Sequence, residues 1–187
     1  LDSYELSTDS KNVLDIIILW LSKNDNIKIE IGGHTDDIGD DNYNIIKTYQ
    51  MYRKDGLHTL ESDYINSRIN NYHLGIKLVR GAYYYQEKHQ DHLYTEKKLT
   101  DDSYNNGILF IGRNNISTYT ILATHNIDSV RLGYMYNQYS KRKVFEFGHL
   151  MGMQEENYQG LANHGQIINV YIPYGPYYKM IPYLTRR

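Results

Sequence analysis

The chain has 187 residues, which is enough for one domain with a hydrophobic core of its own. Its 20 basic and 22 acidic side chains nearly cancel, so we expect no nucleic acid partner and no general attraction to an anionic membrane. The sequence contains no cysteine, which excludes disulfides and thiolate metal sites. Any redox chemistry would therefore depend on a bound cofactor.

The amino-terminal part predicts a helix, a strand and a loop. Polar residues at 9 and 10 precede an apolar run, which predicts a packed helix over residues 9–24. Isoleucines alternate with charged residues over 27–31, as in a half-buried strand, and Gly32 and Gly33 end it. The following segment, GHTDDIGDDNYN, predicts a polar loop over residues 33–44.

From residue 45 onward, short apolar segments alternate with longer amphipathic ones, which is typical of a parallel α/β sheet or barrel. The predicted strands cover residues 45–51, 76–82, 119–124, 143–148 and 167–172. The predicted helices cover residues 59–73, 103–115, 127–140 and 155–164. A last helix is predicted from Pro176 to Arg187, with Pro182 interrupting it because proline lacks the amide donor.

Polar and aromatic residues recur where the predicted strands end. They are Gln50 with Tyr52, Arg80 with Tyr83, His125 with Asn126, and Tyr171 with Tyr174. The carboxyl ends of barrel strands open on one face, so such residues would converge on a single pocket. Each of them could equally be an ordinary loop residue, or a buried polar side chain whose hydrogen bonds are satisfied.

The closing segment predicts a carboxylate site. On a helix, Tyr183 lies three and four residues before Arg186 and Arg187, so the three side chains share one face. Arginine donates planar, bidentate hydrogen bonds that match a carboxylate, and a tyrosine ring covers the apolar part of a small substrate. The alternative is a solvated basic helix end that interacts favourably with the helix dipole.

Other chemistries have little support in the sequence. The histidines form no HExxH pair, so we predict no metal site. Phosphate-binding loops of the forms GxGxxG and GxxxxGK[ST] are absent. No GxSxG segment is present to carry a serine nucleophile.

Five segments occur in the order expected of proline dehydrogenases. They are TYQMYRKD (48–55), GIKLVRGAYYYQEK (75–88), ATHN (123–126), FEFGHLMGM (145–153) and VYIPYGPYYKMIPYLTRR (170–187). Residues 45–187 thereby resemble that family's barrel from its fourth strand to its eighth helix. The resemblance implies an α/β fold, a partial (β/α)8 TIM-type barrel of about five strand/helix units, preceded by an N-terminal α/β fragment.

The resemblance also implies roles for individual residues. Cofactor positions around an FAD are Gln50, Lys77, Gly81, Tyr83, His125 and Asn126, and Leu150 lies beside both flavin and substrate. Substrate positions are Tyr171, Tyr183, Arg186 and Arg187, with the arginines on the proline carboxylate and the tyrosines on its ring. The catalytic positions are Lys77, Tyr171, Arg186 and Arg187. A cation at Lys77, beside the reactive edge of the flavin, would stabilise negative charge on the reduced ring.

The implied reaction is hydride transfer from C5 of L-proline to N5 of the flavin, which gives Δ1-pyrroline-5-carboxylate in proline catabolism. The electrons would then pass to a quinone or a similar acceptor. By the same resemblance, the protein would be cytoplasmic, with peripheral association with the inner membrane, or mitochondrial in a eukaryote.

Residues 1–44 do not match the first three barrel strands of that family. Instead they resemble the first half of an OmpA-like peptidoglycan-binding domain, with GHTDDIG as the informative segment. In that family, the aspartate that matches Asp36 helps to hold the diaminopimelate of peptidoglycan. We therefore predict two modules, 1–44 and 45–187, joined near residues 44–47 as a natural fusion, a remnant, or an artificial or mis-assembled chain.

Two alternatives to an active proline dehydrogenase follow from this division. One is a non-enzymatic module of the cell envelope that binds peptidoglycan. The other is a half barrel that folds but has no catalytic activity, because the residues of the early barrel strands have no counterpart. An incomplete barrel would also expose strand edges, which the helix and strand at 9–31 would partly cover.

Overall fold

The computed structural model describes residues 27–32, 37–40, 43–81, 84–87, 89, 91–114 and 119–173. The described strands are β1 (Ile27–Gly32), β2 (Asp37–Asp40), β3 (Tyr43–Gln50), β4 (Leu74–Val79), β5 (Thr120–Ala123), β6 (Glu146–Leu150) and β7 (Ile168–Pro173). The described helices are α1 (Gly56–Asn70), α2 (Tyr84–Glu87), α3 (Lys97–Arg113), α4 (Ile127–Tyr139) and α5 (Glu155–Asn163). None of these helices is long and apolar enough to cross a lipid bilayer.

Parallel strands form the centre of one seven-stranded sheet. The strand order is β1-β7-β6-β5-β4-β3-β2, and each strand from β3 to β6 pairs in parallel with the next one in the chain. Parallel neighbours need a crossover connection, and the helices α1, α3, α4 and α5 lie in these connections. This alternation confirms the predicted α/β fold class and the strands and helices predicted between residues 45 and 172.

Helix α3 begins at Lys97, earlier than the predicted residue 103. Its first turns carry no apolar stripe, so the periodicity of the sequence did not indicate them. Instead, Lys97 pairs with Asp101 and Lys98 pairs with Asp102, both at the i,i+4 spacing that stabilises an exposed helical turn.

The prediction of a loop over residues 33–44 was wrong in part. Strand β2 covers Asp37–Asp40 and pairs antiparallel with β3, which already begins at Tyr43. The pairing register shifts between Ile38 and Asp40. Because an edge strand is held by backbone hydrogen bonds on one side, it can form without the alternation of apolar residues that sequence patterns detect.

Strands β1 and β2 cover the two edges of the parallel sheet formed by β3 to β7. Strand β1 confirms the strand predicted at 27–31, and it runs parallel to β7 from Ile27 beside Ile168 to Gly32 beside Pro173. The helix predicted at 9–24 lies outside the described residues. The module boundary predicted near residue 44 stays a prediction; in the structure, β3 runs across that position and β1 and β2 belong to the same sheet as the later strands.

The main core lies between one face of the sheet and the helices. Its largest fully buried side chains include Leu74, Ile76 and Leu78 of β4, Leu122 of β5, Phe147 of β6, Tyr104, Ile108 and Ile111 of α3, and Tyr158 of α5. On the strands these residues occupy every second position, because successive side chains of a strand point to opposite faces. The intervening side chains therefore face away from the helices.

Helix α4 approaches the sheet closely at Gly133. A Cβ atom at this position would lie 2.4 Å from Cδ1 of Leu122 and 3.3 Å from Cε1 of Phe147. Both neighbours are fully buried, at 0% exposure, so they have little room to move away. Glycine is therefore needed here for packing, although it is a poor helix former.

We predict that Gly133→Ala destabilises the protein by about 1–2 kcal/mol, since overpacking of a filled core outweighs the better helix propensity of alanine. The matched control is Gly160→Ala in α5, where nothing lies within 4 Å of the added Cβ. That variant should gain about 0.5–1 kcal/mol. Denaturant unfolding of both variants measures the difference, and equal changes would contradict the close packing of α4.

Candidate active site

Lys77 lies on the face of the sheet that is turned away from the helices. Its neighbours along β4, Ile76 and Leu78, are fully buried in the core against the helix layer. Alternation of side chains along the strand then directs Lys77 to the opposite face. This side chain is partly buried even though it carries a charge.

Tyr171 lies on the same face as Lys77. On β7, Ile168 and Val170 belong to the core beside the helices, so Tyr171 and Asn169 point the other way. Asn169 donates from Nδ2 to Oε2 of Glu146 on β6 at 2.9 Å. The face of β6 and β7 that is turned away from the helices therefore carries polar side chains near the amino ends of the strands. It carries an aromatic side chain nearer their carboxyl ends.

Lys77 and Tyr171 meet across the sheet. The Lys77 Nζ atom lies 5.5 Å from the centroid of the Tyr171 ring, within the range of a cation–π interaction. Their strands, β4 and β7, are separated by β5 and β6, which corresponds to about 14 Å along a flat sheet. Because side chains stand roughly perpendicular to a sheet, the contact indicates that the sheet curls and that the face away from the helices is concave.

Gln50 and Leu150 face this concave side at the carboxyl ends of their strands. On β3, the preceding Tyr49 points to the helices, where its hydroxyl donates to Asp63 of α1 at 2.8 Å. On β6, the preceding His149 stacks on Tyr158 of α5 with ring centroids 4.3 Å apart. Alternation therefore directs Gln50 and Leu150 to the face that holds Lys77 and Tyr171.

His125 follows β5 and contacts the loop after β6. Its Nε2 atom accepts the Leu150 N–H at 3.1 Å, and its backbone oxygen accepts from Nε2 of Gln154 at 2.9 Å. A backbone N–H can only donate, so Nε2 is unprotonated and the ring proton lies on Nδ1. Burial, and secondarily the neighbouring His149, lower the pKa of His125. The imidazole is therefore a neutral donor through Nδ1.

His149 holds the same loop from its other side. Its Nδ1 atom lies 3.0 Å from the oxygen of Leu150 and 3.1 Å from the oxygen of Met153, and both carbonyls can only accept. Burial lowers the pKa of His149, although these two hydrogen bonds oppose the effect. No sequence motif marks His149, because it is a single histidine inside an apolar strand.

Asn126 and Gly81 each have a structural role, the first as a helix cap and the second at a close approach of the backbone to a ring. The Asn126 side chain caps α4, accepting the N–H groups of Asp128 at 3.1 Å and Ser129 at 3.2 Å. Gly81 has a φ of 143°, and a Cβ there would lie 2.4 Å from the Tyr52 ring. Only glycine fits both the conformation and the space. Neither observation tests the predicted contact of these residues with a cofactor.

The remaining predicted site residues lie outside the described part of the chain. They are Tyr83, Tyr183, Arg186 and Arg187, together with the predicted helix over 176–187. The structure therefore brings together Lys77 and Tyr171 directly, and it directs Gln50 and Leu150 to the same face. His125 is connected to this group through its hydrogen bond to Leu150.

A polar network that the sequence did not predict lies on the loops after β3 and β4. The Tyr52 hydroxyl donates to Oε2 of Glu87 at 2.8 Å, and Nη1 of Arg53 lies 3.2 Å from Nε2 of His92. An isolated antiparallel β-bridge between Arg53 and Leu93 joins these loops. No periodic pattern indicates such a contact between loops. Among the described residues, no group of three His, Asp or Glu side chains is placed to hold a metal ion.

We predict that the free energy of unfolding falls as the pH is lowered below about 6.5, the ordinary histidine pKa. The folded chain resists protonation of His125 and His149, whereas the unfolded chain binds these protons, so acid favours unfolding. Each histidine contributes a slope of at most about 1.4 kcal/mol per pH unit. Denaturant unfolding at several pH values measures this slope.

In His125→Gln, the amide oxygen can still accept the Leu150 N–H but does not titrate, so the slope should be smaller. His58→Gln, on the exposed surface of α1, is the control for the substitution itself. An unchanged slope in His125→Gln would show that this imidazole is not protected from protonation.

Comparison with known proteins identifies relatives of the chain. The family model described as Proline dehydrogenase matches residues 19–187, so the match begins inside residues 1–44, for which the sequence predicted a separate OmpA-like module. Proline dehydrogenase 1, mitochondrial, of Dictyostelium discoideum is 35% identical over 161 residues, covering 76% of this chain and 28% of that protein. The protein of the same name in Caenorhabditis elegans is 32% identical, covering 77% of this chain and 26% of its own length.

A bacterial protein is similarly related. The carbapenem antibiotics biosynthesis protein CarD of Pectobacterium carotovorum subsp. carotovorum is 34% identical over 146 residues, covering 76% of this chain and 39% of its own length. The chain spans only about a quarter of the length of the mitochondrial relatives that it matches.

Solved structures of proline utilization A resemble the fold. The protein from Bdellovibrio bacteriovorus, inactivated by N-propargylglycine, superimposes with a TM-score of 0.68 at 18% identity, over 96% of this chain and 18% of its own. A variant of the Bradyrhizobium japonicum protein gives a TM-score of 0.64 at 26% identity, over 74% of this chain and 15% of its own. The first likeness supports the fold alone. With the match over residues 19–187, these findings identify the chain as a member of the proline dehydrogenase family.

Proposed function

We propose that this chain forms part of an FAD-dependent proline dehydrogenase, which oxidises L-proline to Δ1-pyrroline-5-carboxylate. The family match supports the reaction class. The observation that carries the proposal is the contact of Lys77 with Tyr171, at 5.5 Å, on the concave face of the sheet. This contact supports the proposal because a cation suits the edge of a flavin and an aromatic ring suits a small cyclic amino acid, and the two lie on the same face of the sheet.

The described residues fit a flavin by the chemistry of their donors. The Lys77 ammonium, the Gln50 amide and the Nδ1–H of His125 are donors, whereas the edge of an isoalloxazine presents carbonyl oxygens and ring nitrogens that accept. Lys77 also supplies a positive charge where reduction would leave negative charge on the ring. In this proposal Gln50, Lys77, Gly81, Tyr83, His125 and Asn126 hold the cofactor.

Bound FAD would supply the electron-accepting chemistry, taking a hydride from C5 of proline. The task of the chain is to orient the substrate and to keep it against the cofactor. In our proposal the Tyr171 ring packs on the pyrrolidine ring, with Leu150 beside it. Tyr171 then contacts the substrate on one side and the Lys77 ammonium on another, which connects the two binding sites.

The substrate carboxylate is assigned to Arg186 and Arg187, with Tyr183 packing beside the ring. This part of the proposal rests on the match of the segment VYIPYGPYYKMIPYLTRR to the family. Guanidinium groups suit the task because each donates two parallel hydrogen bonds to a carboxylate.

We further propose a quinone or a similar compound as the acceptor of the electrons. The relatives from Dictyostelium discoideum and Caenorhabditis elegans are named as mitochondrial proteins. A mitochondrial location in a eukaryote, or a cytoplasmic location with peripheral association with the inner membrane in a bacterium, would bring the protein close to membrane quinones.

We predict that the purified chain takes up FAD, becomes yellow and loses its flavin colour when L-proline is added without another electron acceptor. Absorbance spectroscopy under nitrogen measures both steps, and D-proline serves as the control substrate. Flavin uptake without bleaching would identify a catalytically inactive half barrel. A chain that remains colourless after incubation with FAD would contradict the proposal.

We predict that Lys77→Met slows reduction of the flavin by proline by about 10²- to 10³-fold, because the charge that stabilises the reduced ring is lost. The matched control is Lys47→Met, which removes a sheet lysine from the helix-facing side, where it pairs with Asp63 at 2.6 Å. That variant should reduce its flavin at the native rate. Stopped-flow absorbance measures the rate of flavin reduction in both variants. Equal rates would show that Lys77 does not act beside the flavin.

We predict that Arg186→Ala or Arg187→Ala raises the KM for proline about ten- to a hundredfold while the flavin content stays nearly unchanged. The loss corresponds to about 1.5–3 kcal/mol for a charge-assisted hydrogen bond. Arg131→Ala, which removes an exposed arginine from α4, is the control. Native kinetics in both site variants would show that this pair does not hold the substrate.

A further inference from the structure

Arg80 lies close to Lys77 in sequence but on the other side of the sheet. Its guanidinium carbon is 4.3 Å from the centroid of the Tyr104 ring, and its Nε donates to Asp101 at 2.7 Å. Both partners belong to α3, which packs against the helix-facing side. Although Arg80 follows β4 and carries a charge, it is therefore turned away from the concave face that holds Lys77.

The Arg80 guanidinium joins three separate segments of the chain. Besides Asp101 of α3, its Nη1 donates to Oγ1 of Thr124 after β5, and its Nη2 donates to Oγ of Ser129 in α4 at 2.8 Å. Although burial works against it, hydrogen bonds from Lys97 and Arg80 hold the pKa of Asp101 below its usual value, so this partner stays charged. Only a planar, branched cation can reach three such acceptors at once.

These acceptors bracket the turn that carries His125. The Thr124 hydroxyl accepts the N–H of Asn126 at 3.1 Å as well as the Arg80 hydrogen bond. The Ser129 hydroxyl donates onward to Oδ1 of Asn105 at 2.5 Å. Since Thr124 and Ser129 are buried, at 7% and 0% exposure, water cannot easily replace these hydrogen bonds. His125 lies between the two anchored ends of the turn.

We propose that Arg80 is a positioning residue, which fixes the turn between β5 and α4 and thereby the orientation of the His125 imidazole. The chain of contacts runs from the guanidinium through Thr124 to the turn, and from His125 to the Leu150 N–H on β6. The consequence for a cofactor rests on the proposed function, whereas the consequence for His125 itself does not.

The test uses the whole chain without flavin, labelled with ¹⁵N in its histidine rings. In the native protein, the His125 signals should show one tautomer with the proton on Nδ1; His125→Gln identifies these signals by their loss. In Arg80→Gln, the turn is released, so the same signals should move toward an average of the two tautomers. Arg131→Gln, which changes an exposed arginine of α4, should leave them unaltered.

Two further variants separate positioning from general stability. Arg80→Lys keeps a positive charge near Asp101 but lacks the branched donor, so it should not restore the native signals. Thr124→Val removes the hydroxyl that connects Arg80 to the turn with little change in shape, and it should resemble Arg80→Gln. If Arg80→Gln does not fold, Thr124→Val decides. A native His125 spectrum in any folded variant of Arg80 or Thr124, even with a lower Tm, would overturn the proposal.

A flavin titration adds a readout connected with function. Arg80→Gln and Thr124→Val should bind FAD about tenfold more weakly than the native chain, whereas Arg131→Gln should bind normally. Native affinity in both turn variants would show that the turn does not serve the cofactor, and this would overturn that part of the proposal. If even the native chain fails to bind FAD, the proposed function fails, while the histidine spectra still decide the role of Arg80.

Discussion

The contact between Lys77 and Tyr171 is the constraint on which the candidate site depends. The two side chains stand on β4 and β7, and the 5.5 Å between the Lys77 Nζ atom and the Tyr171 ring indicates that the sheet curls around its concave face. Curling brings residues that are far apart in the sequence together on one concave face. A flat sheet with the same strands would leave the cation, the aromatic ring and the ends of the other strands on an open surface.

The alternation of side chains along each strand determines which polar residues lie on this concave face. Lys77 and Arg80 are both basic and lie near the end of the same strand, yet one faces the concave side and the other contacts Tyr104 in the helix layer. His125 after β5 and His149 on the neighbouring β6 hold one loop from two sides. His125 accepts the Leu150 N–H through Nε2, whereas His149 donates from Nδ1 to the carbonyl oxygens of Leu150 and Met153. Residues on the concave face and residues that contact the helix layer thus lie close together along the chain.

Much of the fold could be predicted because parallel strands and amphipathic helices leave strong patterns. The alternation of short apolar segments with longer amphipathic ones located the strands that end at Gln50 and at Pro173, and the family resemblance implied one site for Lys77 and Tyr171. The edge strand at Asp37–Asp40 was missed, since one-sided backbone pairing requires no apolar pattern. The early start of α3 was missed for a similar reason, because i,i+4 ion pairs form its first turns. The capping role of Asn126 and the roles of His149 depend on contacts that no local pattern records.

The absence of cysteine from the sequence allows a direct test of the curled sheet. Introduced together, Lys77→Cys and Tyr171→Cys would be the only thiols in the chain, and a bifunctional thiol reagent long enough to replace the two removed side chains should link them within one molecule. The control pair, Lys47→Cys with Tyr171→Cys, places the thiols on opposite faces and should not be linked. We predict rapid linkage of the first pair alone, detected by mass spectrometry after proteolysis. Failure of the first pair to link, or equal linkage of both pairs, would show that Lys77 and Tyr171 do not share the concave face. Either result would contradict the proposed site.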